Sequence, residues 1–163
     1  MVIRHTRPME RLNLHSPLFE YDDSDPEGYR CGAQPMGPKL GATQTGTTFY
    51  EVPAGQSICP YHYEYPEEEW LIVIDGDVIL RHPEGEDELI PGDVVCFPSG
   101  PSGAHKVTNR GTETARVLMY STRQDPSVAV YPDSNKIGVG TGNSEDNVRV
   151  RRGTLLDYYD GEI

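Results

Sequence analysis

His62, Glu64, Glu69, His105 and Asn109 all fall within residues 55–109, with turn-forming residues separating the first group from the second. A few imidazoles and carboxylates drawn from separate strands are what holds a single first-row divalent cation in a β-framework. His62 and Glu64 are two apart, so a strand puts both on one face and turns Tyr61, Tyr63 and Tyr65 to the other. Glu69 follows Pro66, which can turn the chain, and opens the apolar run 70–74. If Glu69 points inward, alternation turns Leu71 and Val73 inward too; the same rule groups His105 with Val107 and Asn109. The expected site is a polar centre in an apolar wall, the usual composition of a small-molecule site.

Each residue alone has an ordinary reading. His62 could cap a strand end, Glu69 could belong to the solvated run Glu67-Glu68-Glu69, and His105 could be a satisfied core histidine. As a set, the metal reading outweighs these. The Glu64 carboxylate can ligate directly, reach through water, or hydrogen-bond a ligating histidine. Asn109 reads as a turn residue, Glu67 and Glu68 as surface charge, and His5, His15 and His82 have no spacing that relates them to the site. Two neutral imidazoles with two carboxylates neutralise a divalent ion and admit Mn, Fe(II), Ni or Zn. If Glu64 stays out, His62, Glu69 and His105 form a two-histidine, one-carboxylate triad suited to non-haem Fe(II) and oxygen chemistry. If Glu64 binds, Lewis-acid polarisation of a hydroxyl or carbonyl is the more natural work, as in sugar isomerisation or lyase chemistry. Proton transfer would then call on Glu64 or an inward-turned Tyr61. Arg81, Lys106, Arg116 and Arg123 are scattered, with Lys106 facing away from the site, so the pattern disfavours an anionic substrate.

The elements that must position these residues are short strands. Runs at 47–52, 57–59, 70–74, 78–81, 94–97, 105–108 and 115–121 recur about every ten residues. Between them stand Pro53-Ala54-Gly55, Asp75-Gly76, Pro83-Glu84-Gly85, Pro91-Gly92-Asp93 and Asn109-Arg110-Gly111. Asp75-Gly76 between two apolar runs is the strongest hairpin signal. With 17 glycines, 14 prolines and no convincing helical period, the chain reads as an all-β sandwich or barrel. Its 163 residues suit one domain: an N-terminal arm over 1–40, a barrel over 41–125, and a C-terminal extension over 126–163 that packs on the barrel, with one further strand near 147–152.

Bulk properties restrict the function. A formal net charge of -12 repels phosphate backbones, which argues against nucleic acid. No apolar run reaches membrane-spanning length and residues 1–5 lack a signal-peptide core, so the expectation is a cytoplasmic protein with no membrane partner. Cys31, Cys59 and Cys96 are odd in number and widely spaced, which argues for free thiols; Cys59, three residues before His62, reads as a buried small thiol.

The segment resembles the cupin superfamily, of the small, single-domain, conserved-barrel type. Gly55, His62-Tyr63-Glu64, Glu69 and Gly76 follow its first motif, and Gly92, Pro98-Ser99-Gly100, His105 and Asn109 its second. Six rather than five residues separate Gly55 from His62, four rather than two separate Gly100 from His105, and Glu64 takes the place of the second histidine. The resemblance implies a double-stranded β-helix, or jelly roll, over roughly residues 41–122. It also implies that His62, Glu69 and His105 fall on ligand positions, with Glu64 on the fourth. The superfamily hosts dioxygenases, decarboxylases, isomerases, storage proteins and sensing domains, so the fold does not choose a reaction. The expectation is a metal-binding protein acting on a sugar-like, hydroxy or carbonyl compound. Its alternatives are an Fe(II) dioxygenase and a non-enzymatic small-molecule-binding module. Members are commonly dimers, and Leu12, Leu14, Leu18 and Phe19 make the arm apolar in patches, so a homodimer is expected, with the arm packed on its own or the neighbouring barrel.

Overall fold

β-Branched and aromatic residues dominate the segments that become strands, and the longest of these pair with each other. In the computed structural model, which describes residues 9–153 and 155–162, β2 (Thr45–Val52) runs antiparallel to β9 (Ala115–Thr122). The register carries Thr45↔Thr122 through to Val52↔Ala115. On its other side β9 pairs with β4 (Glu69–Asp75), which in turn pairs with β7 (Val94–Phe97). Strand β1 (Gly32–Pro35) adds to the free edge of β2, completing a sheet of order β1-β2-β9-β4-β7. The arm therefore packs on its own barrel: Phe19 lies against Phe49 at 5.3 Å between ring centroids, and Glu20 bridges to Ala33. The first eight residues, His5 among them, lie outside the described part.

Two smaller sheets make the opposite layer. Strands β6 (Gly85–Leu89), β5 (Val78–His82) and β8 (Lys106–Thr108) form one, in that order. Strands β12 (Val148–Arg151), β11 (Lys136–Gly140), β10 (Ser127–Tyr131) and β3 (Tyr63–Tyr65) form the other. A reciprocal backbone pair, His62 N to His105 O at 3.1 Å and His105 N to His62 O at 2.8 Å, joins the two sheets. Leu71, Val73 and Val117 of the five-stranded sheet pack against Val78, Leu80, Leu89 and Val107 of the facing layer, all buried. The alternation expected of β4 and β8 is seen: Leu71, Val73, Val107 and Asn109 are fully buried. Asn109 works as a turn residue, donating from Nδ2 to the Val52 and Glu113 carbonyls at 2.8 and 2.7 Å and accepting from Gly111 N.

Asp75-Gly76 does not close a hairpin. β4 pairs with β9 and β7, whereas β5 pairs with β6 and β8, so this turn carries the chain from one layer to the other. Gly76 has φ 68°, and a Cβ on it would stand 2.9 Å from Ala115 Cα. The left-handed turn that signals a hairpin also serves a tight corner at the sheet edge. The true hairpin is the next one, β5 to β6 through Pro83-Glu84, with His82 opposite Gly85. Among the described residues one four-residue α-helix occurs, Gly37–Leu40, and no helix is long and apolar enough to cross a membrane.

Candidate metal centre

The two layers meet around four side chains. His62 and His105 precede β3 and β8 and are locked as cross-strand neighbours by their own backbones, with ring centroids 4.8 Å apart. Glu69 opens β4 in the facing sheet, between Phe97 and Ser121, and Glu64 is central in β3. Glu69 Oε2 lies 3.8 Å from His62 Nε2 and 3.5 Å from His105 Nε2, and Glu64 Oε1 lies 3.9 Å from His62 Nε2. These separations exceed hydrogen-bond length, so the donors face one another without satisfying one another. All four residues drawn from the sequence motifs are brought together.

Both imidazoles are fixed in one tautomer by the same device. A carbonyl can only accept, so Nδ1–H of His62 donates to the Pro60 carbonyl (3.0 Å) and Nδ1–H of His105 to that of Gly103 (2.9 Å). Each Nε2 is thereby left as a bare lone pair. His105 Nε2 is buried with no hydrogen-bond partner among the described residues. A buried unpartnered acceptor is costly, and a cation removes that cost. Phe97 stacks on the His105 ring at 3.8 Å and 9°, and Tyr131 on that of His62 at 5.8 Å and 19°, which holds both rings in plane.

Burial sets the protonation of the group. It pushes the Glu64 carboxyl up to about 9, with a hydrogen bond to Glu67 and the nearby Glu69 charge adding to it. Burial, then the Glu67 charge, raises Glu69 to about 7. Burial lowers His62, and lowers His105 to about 4. Without a cation, burial favours neutral imidazoles and pushes both carboxyls toward the protonated form, a tendency that a divalent ion would reverse.

The comparisons with known proteins bear on the fold that carries these residues. The family model of the cupin domain matches residues 48–121. Residues 48–121 form a cupin domain. A proposed sugar phosphate isomerase from Acidithiobacillus ferrooxidans is 26% identical over 80% of this chain and 83% of its own, with a TM-score of 0.71. A cupin-superfamily sugar phosphate isomerase from Silicibacter pomeroyi is 24% identical over 91% of this chain and 98% of its own, with a TM-score of 0.77. The polyketide cyclase RemF from Streptomyces resistomycificus shares the fold at 21% identity, covering 74% of this chain and 84% of its own, with a TM-score of 0.58. The last two likenesses establish fold. No curated protein matches the chain.

Around the motif residues the cupin domain adds groups that sequence reasoning did not place. Cys59 offers its Sγ within 4.8 Å of donor atoms of both His62 and His105, so the thiol read as a plain buried residue adjoins the site. Burial pushes its pKa well up, and the charges of Glu69 and Glu64 push the same way, so it rests there as a thiol. Tyr50 of β2 adjoins the same region; burial, then the Glu69 charge, pushes its hydroxyl up to about 12. Tyr61 turns outward instead, under the Arg81 guanidinium at 3.9 Å. Of the scattered cations, Arg81 pairs with Asp133, Arg116 with Glu51, and Lys106 donates to Tyr29 Oη at 3.3 Å, away from the site as expected. Arg149, a cation the sequence did not single out, lines, together with Glu64, a cavity of about 360 Å³ beside the centre.

The titrations give a checkable pH dependence. A carboxyl raised in the folded state loses stability as pH climbs from the unfolded value, 4.5, through the folded values of about 7 and 9. An imidazole lowered to about 4 loses stability as pH falls below 6.5, so the two effects oppose between 4.5 and 6.5. Above that window only the carboxyls act. In chelator, the melting temperature is expected to fall from about pH 6.5 to about pH 9. The rise on adding Mn²⁺ or Zn²⁺ should be larger toward the alkaline end. A melting temperature flat in pH across that range would remove the buried carboxyls from the account.

Proposed function

We propose that the chain is a metal-dependent cupin enzyme acting on a small sugar-like molecule with hydroxyl and carbonyl groups, and that the reaction is an isomerisation. His62, Glu64, Glu69 and His105 would hold the ion, whose contribution when bound is to polarise a substrate oxygen. The observation that carries the reading is the pair of imidazoles locked with bare Nε2 atoms toward one buried carboxylate. Support also comes from the 26% identical Acidithiobacillus ferrooxidans protein, a proposed sugar phosphate isomerase.

Glu64 is the one member of the set that also lines the cavity, so it would border both the ion and a bound molecule. Isomerisation between an aldose and a ketose moves one proton between adjacent carbons and one between their oxygens, and leaves the overall oxidation state unchanged. A carboxyl that burial raises to about 9 is a strong base once ionised, able to take that proton from one carbon and return it to the next. The surrounding apolar wall of Leu71, Val73 and Phe97 limits water and strengthens the electrostatics of the step.

Protein expressed with Mn, Fe, Ni and Zn supplied is expected to hold stoichiometric transition metal by elemental analysis. It should then interconvert an aldose phosphate and its ketose, with activity lost to a chelator. The reading fails if no metal is retained and His62→Ala and His105→Ala leave metal affinity unchanged.

A further inference from the structure

The sheet β12-β11-β10-β3 runs directly out from the metal centre, and its registers align one row across all four strands: Glu64, Ala129, Gly138, Arg149. The whole face that carries Glu64 is built to be low. Gly138 and Gly140 leave its middle bare, and glycine in a strand interior marks a place where another group approaches the backbone closely. A Cβ on Gly140 would stand 3.1 Å from Ser127 Oγ, and one on Gly138 would stand 3.6 Å from Arg149 Nε. The Arg149 side chain thus lies back over Gly138 toward Glu64. The ion pairs found among the described residues engage Arg81, Arg110 and Arg116 but not Arg149.

Glu64, Ser127, Tyr131, Asn147 and Arg149 give this floor its polar rim, and the cavity of about 360 Å³ is within the range of small-molecule sites. Tyr131 forms the wall nearest the centre, stacked on His62 on one side and capped by Lys136 Nζ at 5.0 Å on the other. Lys136 and Arg151, opposite each other in register, share the face with Arg149, so its outer end is cationic in a chain of net charge -12. A protein that acidic repels anions in general and needs a local cation to admit one.

We propose that Arg149 is the anion-recognition residue of this site: it grips the phosphate of a phosphorylated sugar whose reacting end lies at Glu64. The guanidinium presents paired donors that match phosphate oxygens. Strand spacing puts Gly138, beneath it, about 10 Å from Glu64, so the two ends of one phosphosugar can be held at once. The assignment rests on the isomerase reading only for what happens at the Glu64 end.

Titration calorimetry on the full chain, in chelator and with Mn²⁺, tests it with fructose 6-phosphate, fructose and inorganic phosphate as probes. Wild type is expected to bind fructose 6-phosphate at least about tenfold more tightly than fructose, in chelator as well as with metal. Arg149→Ala should lose about tenfold or more for fructose 6-phosphate and nothing for fructose, and Arg149→Lys should recover part of the loss. Arg149 is exposed on an edge strand, so both variants should fold, and Arg110→Ala, at another exposed cation, should match wild type. Equal affinity for fructose and its phosphate, or an Arg149→Ala variant indistinguishable from wild type, overturns the proposal. If phosphate binding depends on Arg149 while no metal-dependent isomerisation occurs, the subsite stands and the isomerase reading alone falls.

Discussion

Glu69→Gln is expected to abolish stoichiometric metal binding while making the metal-free protein more stable above neutral pH. Glu69 is the hub of the centre, the single carboxylate facing both Nε2 atoms, at 3.8 and 3.5 Å. Replacing a charged oxygen donor by a neutral amide removes much of the attraction for a divalent ion and leaves two imidazoles with Glu64, whose single charge cannot neutralise it. In the absence of metal the same carboxyl is a burden. Its shift from 4.5 to about 7 corresponds to about 3 kcal/mol of lost stability once the unfolded chain is ionised and the folded one must be. An isosteric amide carries no such titration, so the variant in chelator should melt above wild type at about pH 9 and close to it at about pH 5. Metal at a hundred times its dissociation constant should stabilise wild type by about 2.7 kcal/mol and the variant not at all. Thermal melts at two pH values with and without Zn²⁺, beside elemental analysis, read all four quantities. A variant that retains stoichiometric metal would show that the ion is held elsewhere, with Cys59, His62 and His105 the alternative cluster.

That alternative marks the limit of what the sequence discloses. His62, Glu64, Glu69 and His105 are legible as neighbours because strand alternation and two ordered motifs fix which face each side chain takes; Glu69 lies near both imidazoles and Glu64 near that of His62. Cys59, three residues before His62, could be read as approaching the site, though a small buried thiol is the ordinary reading; the expected strand at 57–59 is only an isolated bridge at Ser57, so alternation does not decide the matter. Tyr50 comes from β2, in a different layer from the histidines, and reaches the centre only through the facing of the sheets. The cationic face was missed for a related reason. Strands β10 and β11 are short, and Gly138 and Gly140 break the apolar pattern that would announce β11. Without β11, Arg149 has no path to Glu64. Asp75-Gly76 misleads in the opposite sense, because its local conformation is read correctly and its partner strands are not. Local chemistry specifies the turn, whereas layer crossing is a property of the whole jelly roll.

The second large effect is expected at Glu64. Its carboxyl lies 3.9 Å from His62 Nε2, so a role as ligand alone and a role in moving the substrate proton predict different behaviour when it is changed to an amide. Glu64→Gln keeps a neutral oxygen donor in place. If Glu64 served only to hold the ion, the variant would bind metal more weakly and excess metal would restore turnover. If it also takes up and returns the proton, occupancy returns with metal and turnover does not, because an amide has no carboxylate oxygen to protonate. The second outcome is the expected one, with kcat lower by about 10²–10⁴ at full metal occupancy, the usual contribution of a positioned acid–base group. The wild-type profile should rise as the carboxyl ionises and the variant should lack that limb, a feature that a purely structural change would leave in place. Full recovery of turnover in saturating Mn²⁺ would return Glu64 to the role of ligand and pass the proton to another group. Tyr50 would be the next residue to change, since its buried hydroxyl senses both Cys59 and Glu69.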